Sequence, residues 1–428
     1  MVNSLKQNLS SILSGTYGKD STKKEIVLSP KVDLVMFLFV FGIFLIHNET
    51  WTIMWPDNWI RWDFSYLRAI LFTYLFVKYA LGKQKKWTIL EIFLGIMVAF
   101  AFFMNWQMTG DNSIMDISVL ILCAKDIPYE AVLKEYIVIK VPMIVMTIIG
   151  SQLGVFENLV YHQVDGTRVR EAFGFCYPTD FAAQIFFLFL VWVLIRRVKT
   201  SYIELVGMVI AGILLKIFCD TNNSVLCIGI LVASVVVFKV LDKFDLKGKP
   251  FELVEKIYSF GCLCVPFVFS AMMVLLSRFY NPENSLLSVI DKALNHRLGW
   301  GLEGFTRYDA TLWGQYVEMQ GNGGTTEKAE NYFFLDCSYV NILLRKGLII
   351  FALVLLVLVV LMFKNWNDHL FLWLLVMVCL HCVIEHHFLE FYYNVFLILP
   401  FASFSQNEEN FNRKWCLLKK QKEPKGYV

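Results

Sequence analysis

Arg168 and Arg170 stand just upstream of Glu171-Ala-Phe-Gly174-Phe175 and Tyr177-Pro178-Thr179, after which the chain turns apolar. Proline suits the first turn of a helix, so this reads as a loop ending in a helix start. Such a start offers unbonded backbone N–H groups, and arginine forks beside it are shaped to grip a phosphate. The residues fit a second reading equally, in which both arginines are solvated and pair with Asp165 or Glu171.

A second group of chemically capable residues lies in the stretch 277–347, about seventy residues long and the only large polar segment. It carries His296-Arg297, Trp300, Arg307-Tyr308-Asp309, Trp313-Gly314, a Gly321-Asn-Gly-Gly324 turn and Asp336-Cys-Ser-Tyr339. Aromatic rings interleaved with hydrogen-bonding groups suit a sugar, whose faces are apolar and whose edges are polar. Trp and Tyr also anchor chains at a membrane interface, which is the plainer reading of Trp300, Tyr308, Trp313 and Tyr339. Asp336 precedes an apolar run. A desolvated carboxylate there has a raised pKa and works as a base, and an Asp before a helix also serves as its N-cap. Cys379-Leu-His-Cys382, with Glu385, His386 and His387 behind it, has a metal-ligand spacing. No second matching pair occurs, and thiols in an apolar run are ordinary packing residues, so no metal is expected.

The elements that must position these groups follow from composition. Of 428 residues, 57% are hydrophobic and 18% charged, against about 25% charged in a soluble domain, and mean hydropathy is +0.55. These values exclude a disordered chain, a coiled coil and an ordinary water-soluble enzyme, and leave an all-α polytopic membrane protein. A net charge of +3 without a basic stripe excludes nucleic acid as a partner. Apolar runs place about twelve spans, at 32–47, 64–81, 88–106, 113–124, 136–154, 177–195, 202–218, 224–238, 257–276, 348–363, 369–385 and 388–404. The run at 113–124 is short and carries Asp116.

Counting Lys and Arg on alternate sides gives 25 on the side of the N-terminus and 10 on the other, so both termini are expected in the cytoplasm. The organisation is then a cytoplasmic segment 1–31, spans over 32–276 with an external loop at 155–176, a large extracytoplasmic loop at 277–347, spans over 348–404 and a basic cytoplasmic tail at 405–428. The first 31 residues are polar, so 32–47 is expected to act as an uncleaved signal anchor. Nine of the ten outward Lys and Arg fall in 155–176 and 277–347. Positive charge there opposes the insertion rule, and an anionic ligand is the simplest reason for it. Inside spans, Lys216 and Asp220 are spaced to pair, Arg68 and Lys78 are near enough to span ends to snorkel, and Lys140, just before Pro142, is expected to line a cavity.

The order and sidedness of these motifs resemble the bacterial Wzy-type polysaccharide polymerases, relatives of the O-antigen ligases. The stretch from Arg168 to Thr179 is similar to that family's arginine followed by Gly-Phe and Pro-Asn, with Thr179 in place of Asn. Arg297 followed by Thr311-Leu-Trp-Gly314 is similar to the arginine and later Gly of its large loop. Leu335-Asp336-Cys337-Ser338-Tyr339 is similar to its Leu-Asp-Asn-Ser-Tyr element, with Cys337 in place of Asn, and Glu385, Asn394 and Phe396 resemble its last two spans.

The resemblance implies a C-superfold (GT-C-like) inverting glycosyltransferase at the outer face of the bacterial cytoplasmic membrane. It would join undecaprenyl-pyrophosphate-linked oligosaccharide repeats into a capsular, exo- or O-antigen polysaccharide, with no cofactor and no metal. Arg168, Arg170, Arg297 and Arg307 would hold the pyrophosphate, and Asp336 would be the base, with His296 as runner-up. Membrane lipid, a chain-length regulator and a flippase would be its partners. A ligase that passes the glycan to another acceptor, or a lipid-linked-oligosaccharide flippase or transporter, are the alternatives.

Overall fold

The computed structural model describes residues 28–61, 63–81, 89–162, 169–243, 249–327 and 329–404. The chain is mostly helical. Helices α1 (Pro30–Glu49), α2 (Phe64–Leu81), α3 (Ile89–Thr109), α4 (Ser113–Cys123) and α5 (Tyr129–Gln152) come first. A two-stranded antiparallel ribbon follows, β1 (Val160–His162) and β2 (Val169–Glu171), then α6 (Pro178–Arg196), α7 (Tyr202–Leu214), α8 (Asn223–Leu241) and α9 (Lys249–Arg278). Two short helices, α10 (Ser285–Ala293) and α11 (Arg297–Arg307), precede α12 (Ser338–Lys364) and α13 (His369–His381).

Helix boundaries follow local chemistry. Ser29 accepts from the Val32 N–H ahead of Pro30, Ser201 and Glu204 form a capping box, and Asp368 accepts from the Phe371 N–H. Among the described residues, seven helical stretches are long and apolar enough to cross a membrane, and α4 and α13 are shorter apolar helices. At 1.5 Å per residue the 11 residues of α4 span about half of a bilayer core.

The helices alternate in direction. Odd-numbered α1 to α9 run toward one end of the bundle and even-numbered α2 to α8 run away from it. α10 and α11 lie at that end, α12 leaves it and α13 returns. Asn105, in the last turn of α3, reaches across this end to donate to the Trp313 and Lys346 carbonyls, both at 2.8 Å. At the opposite end the Leu28 N–H bonds the Leu81 carbonyl, and Arg197 meets Asp368 at 2.8 Å and Tyr129 at 3.2 Å.

Buried ion pairs fasten the helices, because a charge withdrawn from water needs a partner. Lys140 of α5 bonds Glu49 of α1 and the Tyr392 carbonyl, while Gln184 of α6 donates to the other Glu49 oxygen. Arg68 of α2 grips Asp116 of α4 through Nε and Nη2 at 2.8–3.0 Å. Lys78 bonds Asp33 at 2.7 Å. Arg68 and Lys78 thus each find a carboxylate on a neighbouring helix. Lys216 and Asp220 do pair.

Two further departures from the sequence reading concern helix form. The run 388–404 is not an α-helix: the chain turns through Cys382–His386 positions without regular structure, makes a short 3-10 turn at His387–Leu389, and ends in a buried 3-10 segment, Val395–Phe401. Pro400 within it removes a donor that an α-helix needs. In α12, Gly347 adopts φ 83°, ψ 169° and breaks the helix one-third along. A side chain there would run into the Trp313–Gly314 backbone, so the kink is the seat on which the loop after α11 docks.

Candidate functional site

A cavity of about 370 Å³ opens where the two arginine-bearing stretches meet. Its walls come from β2 and the start of α6 (Arg170, Tyr177, Asp180), the α7–α8 turn (Asn222, Asn223), the start of α11 (Arg297), the approach to α12 (Tyr332, Asp336) and the segment after α13 (Glu385, His386). A π-helical turn at Leu215–Cys219 ends α7, and Asp220 follows in the left-handed region. That turn leaves the Cys219 carbonyl free to accept from Arg170 Nε at 3.0 Å, and the guanidinium lies 5.4 Å from the Tyr177 ring centre.

Arg297 Nη1 meets Asp336 at 2.8 Å as an ion pair without a well-aligned N–H···O bond, and its Nε donates to the Ile384 carbonyl at 3.0 Å. The segment holding Glu385 and His386 is clamped to the start of α12: the Ser338 hydroxyl donates to the Glu385 carbonyl at 2.6 Å and accepts from the Phe388 N–H. The Ser338 N–H bonds the Cys382 carbonyl. Asp336 is therefore not the helix cap. Cys337 holds the cap position, and the carboxylate turns to Arg297 instead.

Carboxylates and imidazoles alternate beyond Asp336. Its Oδ1 is 3.9 Å from His386 Nδ1, His386 Nε2 is 3.6 Å from Glu390, Glu390 is 2.7 Å from His387 Nδ1, and His387 Nε2 is 3.8 Å from Asp180. Burial pushes the Asp336 carboxyl above the usual range, with Arg297 opposing. Burial also takes Glu385 up to about 7, against the pull of Arg297 and with a push from Asp336, and holds His386 down at about 4.

Ligand atoms of Glu385, His386 and His387 lie within 4.8 Å of one another, so three side chains here have donor types a metal accepts. Both imidazoles already face carboxylates of the chain. Cys379 and Cys382 are buried and are not in that group.

Of the residues singled out from sequence, Arg170, Arg297 and Asp336 share the cavity. Arg168 lies outside the described residues. His296 stands off the lining, 64% exposed and 3.0 Å from Asp291. Arg307 pairs with Glu303 and covers the Phe333 ring. Trp300 meets the cavity-lining Tyr332 edge-on at 5.3 Å, Tyr308 stacks on Phe333, and Trp313 packs on Phe100 of α3. Tyr339 is buried and donates to the Cys379 carbonyl at 2.8 Å. Asp180, His386 and Tyr332 also line the cavity. Asp180 reads in sequence as an ordinary first-turn acid behind Pro178, and His386 was visible only as part of a metal-like cluster. Comparison with protein-family models, curated proteins and solved structures finds no match for this chain.

The raised Glu385 carboxyl has a consequence for stability. Its ordinary value is 4.5, so it favours the folded protein fully below that pH and loses this contribution as pH rises through about 7. The loss is on the order of 3 kcal/mol. Because His386, held at about 4, contributes the opposite slope in both proteins, the expected result is that the melting temperature of the wild type falls relative to that of Glu385→Gln between pH 4.5 and 7. Equal slopes in the two proteins would show that Glu385 is not the group titrating.

Proposed function

We propose that this protein is an inverting, metal-independent glycosyltransferase of GT-C-like fold. In this reading it polymerises undecaprenyl-pyrophosphate-linked oligosaccharide repeats at the outer face of a bacterial cytoplasmic membrane. The observation that carries the reading is the Arg297–Asp336 pair beside Arg170 in one cavity. Glycosyl transfer from a lipid diphosphate needs a base for the acceptor hydroxyl and positive charge for the departing diphosphate. The pair supplies both, held against each other until a ligand separates them.

An arriving diphosphate competes with Asp336 for the Arg297 guanidinium, since two phosphate oxygens match its fork better than one off-line carboxylate. Asp336, released, takes the proton of the acceptor hydroxyl. The hydroxyl oxygen attacks the anomeric carbon from the face opposite the diphosphate, and the C–O bond to the diphosphate breaks. The electron pair leaves on the diphosphate, where Arg170 and Arg297 meet the charge. Configuration inverts and the proton rests on Asp336. Tyr177 and Tyr332, both on the cavity wall, offer faces to the sugars.

The test is removal of the gene from a cell that makes a repeat-unit polysaccharide, followed by sizing of the surface glycan. Single repeats without long chains are the expected result. Absence of repeats outside the cell would mean translocation instead, and unchanged chain length would refute the reading.

A further inference from the structure

Glu390 addresses two histidines at once. One of its oxygens accepts from His387 Nδ1 at 2.7 Å, and the other stands 3.6 Å from His386 Nε2. An ionised carboxylate only accepts, so each neutral ring keeps its N–H on the Glu390 side. The opposite nitrogens, His386 Nδ1 and His387 Nε2, are then lone pairs. Both atoms are buried, and neither has a hydrogen-bond partner among the described residues.

These lone pairs face further acceptors. His386 Nδ1 looks at Asp336 Oδ1 across 3.9 Å, and His387 Nε2, on a side chain only 1% exposed, looks at Asp180 Oδ1 across 3.8 Å. Both gaps are too long for a hydrogen bond, and burial favours the neutral form of each ring. Acceptors opposed in this way repel unless a positive centre comes between them. Arg297 pairs with the other Asp336 oxygen, Oδ2, so it does not occupy the side that faces His386. Glu385 brings a third donor, its ligand atom lying within 4.8 Å of those of both imidazoles. Asp180, Asp336, Glu385 and His386 line the cavity, which is the way in.

We propose that Glu385, His386 and His387 bind one divalent transition-metal ion of the zinc type in the cavity wall, flanked by Asp180 Oδ1 and Asp336 Oδ1, with Glu390 orienting both imidazoles from behind. Zinc at about 2.0–2.1 Å from each of its ligands holds them about 3.3–3.4 Å apart, so small side-chain rotations close the gaps of 3.8 and 3.9 Å. Neighbouring side chains on a helix do not face one another; here the chain is irregular at Glu385 and His386 and only begins a 3-10 turn at His387. A carboxylate on the far nitrogen of a metal-bound imidazole fixes its tautomer and raises its basicity. Imidazole with carboxylate suits zinc, and magnesium and calcium prefer shells of oxygen alone. The site goes beyond the proposed transfer reaction and stands without it. Where that reaction runs, the ion is an inhibitor, because it ties up the Asp336 carboxylate.

The experiment uses the full-length protein, purified without a histidine tag and stripped of metal, with cobalt(II) and zinc salts alone as probes. One equivalent of cobalt is expected to give the visible ligand-field absorption of an ion bound by nitrogen and oxygen. Zinc should abolish that absorption, and magnesium in large excess should not. Glu390→Gln should weaken zinc roughly tenfold to a hundredfold, the usual loss when a carboxylate behind a metal-bound imidazole is removed. His386→Gln combined with His387→Gln should abolish binding. His162 and His296 are the exposed histidines, and His162→Gln combined with His296→Gln should bind as wild type does.

Wild-type protein that gives no cobalt absorption would overturn the site, and that result needs no variant to fold. Sulfur-to-cobalt charge-transfer absorption would overturn it too, by placing the ion on Cys379 and Cys382. Binding lost with His162 and His296, or kept in full without His386 and His387, would do the same. Each of these results is read without glycan synthesis, so the failure of the site is distinct from the failure of the transfer reaction.

Discussion

Asp336→Asn is expected to remove long-chain polysaccharide while leaving the protein at normal abundance in the membrane. The amide is isosteric with the carboxylate and cannot take a proton at any working pH. A positioned general base contributes roughly a hundred- to ten-thousand-fold to rate, so the product ladder should collapse to single repeats. Structural damage is not the expected route to that loss, because the α12 cap is at Cys337 and Asp336 meets only Arg297 at close range. Replacing it also frees Arg297, so lipid diphosphate should bind the variant at least as tightly as wild type. Long chains from Asp336→Asn would assign the carboxylate to structure, and diphosphate binding lost together with activity would do the same.

The second large effect is on folding. Lys140 and Glu49 are both fully buried, and their bond joins α1 and α5 to the Tyr392 carbonyl, in the segment that follows His386 and His387. Lys140→Met leaves the Glu49 charge unpaired. Breaking one side of a buried pair costs about 3–5 kcal/mol, enough to deplete the protein from the membrane. The combined change Glu49→Gln with Lys140→Met removes the charge from both partners and keeps an oxygen for Gln184, so it should restore most of the abundance. Membrane immunoblots and melting in detergent decide it. A single Lys140→Met protein as stable as wild type, or a double variant no better than the single, would show that the pair carries no such weight.

Much of the helical architecture was legible because burial in lipid demands long apolar runs, and α2, α6, α7 and α8 follow them closely, whereas α12 begins ten residues ahead of its run. The candidate site was legible where polar residues stood out against that background. Arg170, Arg297 and Asp336 meet although 39 to 166 positions separate them. The rest was hidden by the same physics. Glu49 and Lys140 sit in unrelated runs, and only packing reveals that they touch. Arg307, His296 and Tyr339 have suitable chemistry, yet helix α11 turns the first outward, Asp291 takes the second and the Cys379 carbonyl takes the third. The run 388–404 misled because a buried 3-10 segment and a lipid-facing helix require equally apolar side chains; Asn394 and Pro400 were the overlooked signs.

That last segment bears on how the protein is made. A stretch of 3-10 backbone broken by proline leaves amide groups that hydrocarbon will not solvate, so it cannot partition into a bilayer by itself. Its wall must already stand: Val395, Phe396, Ile398 and Leu399 are all enclosed by other helices. The segment therefore depends on a slot that other helices of the bundle form, rather than on lipid, to cover its backbone. Since Glu385 and His386 hang from the backbone that leads into this segment, the cavity beside Asp336 has that wall only when the segment is seated.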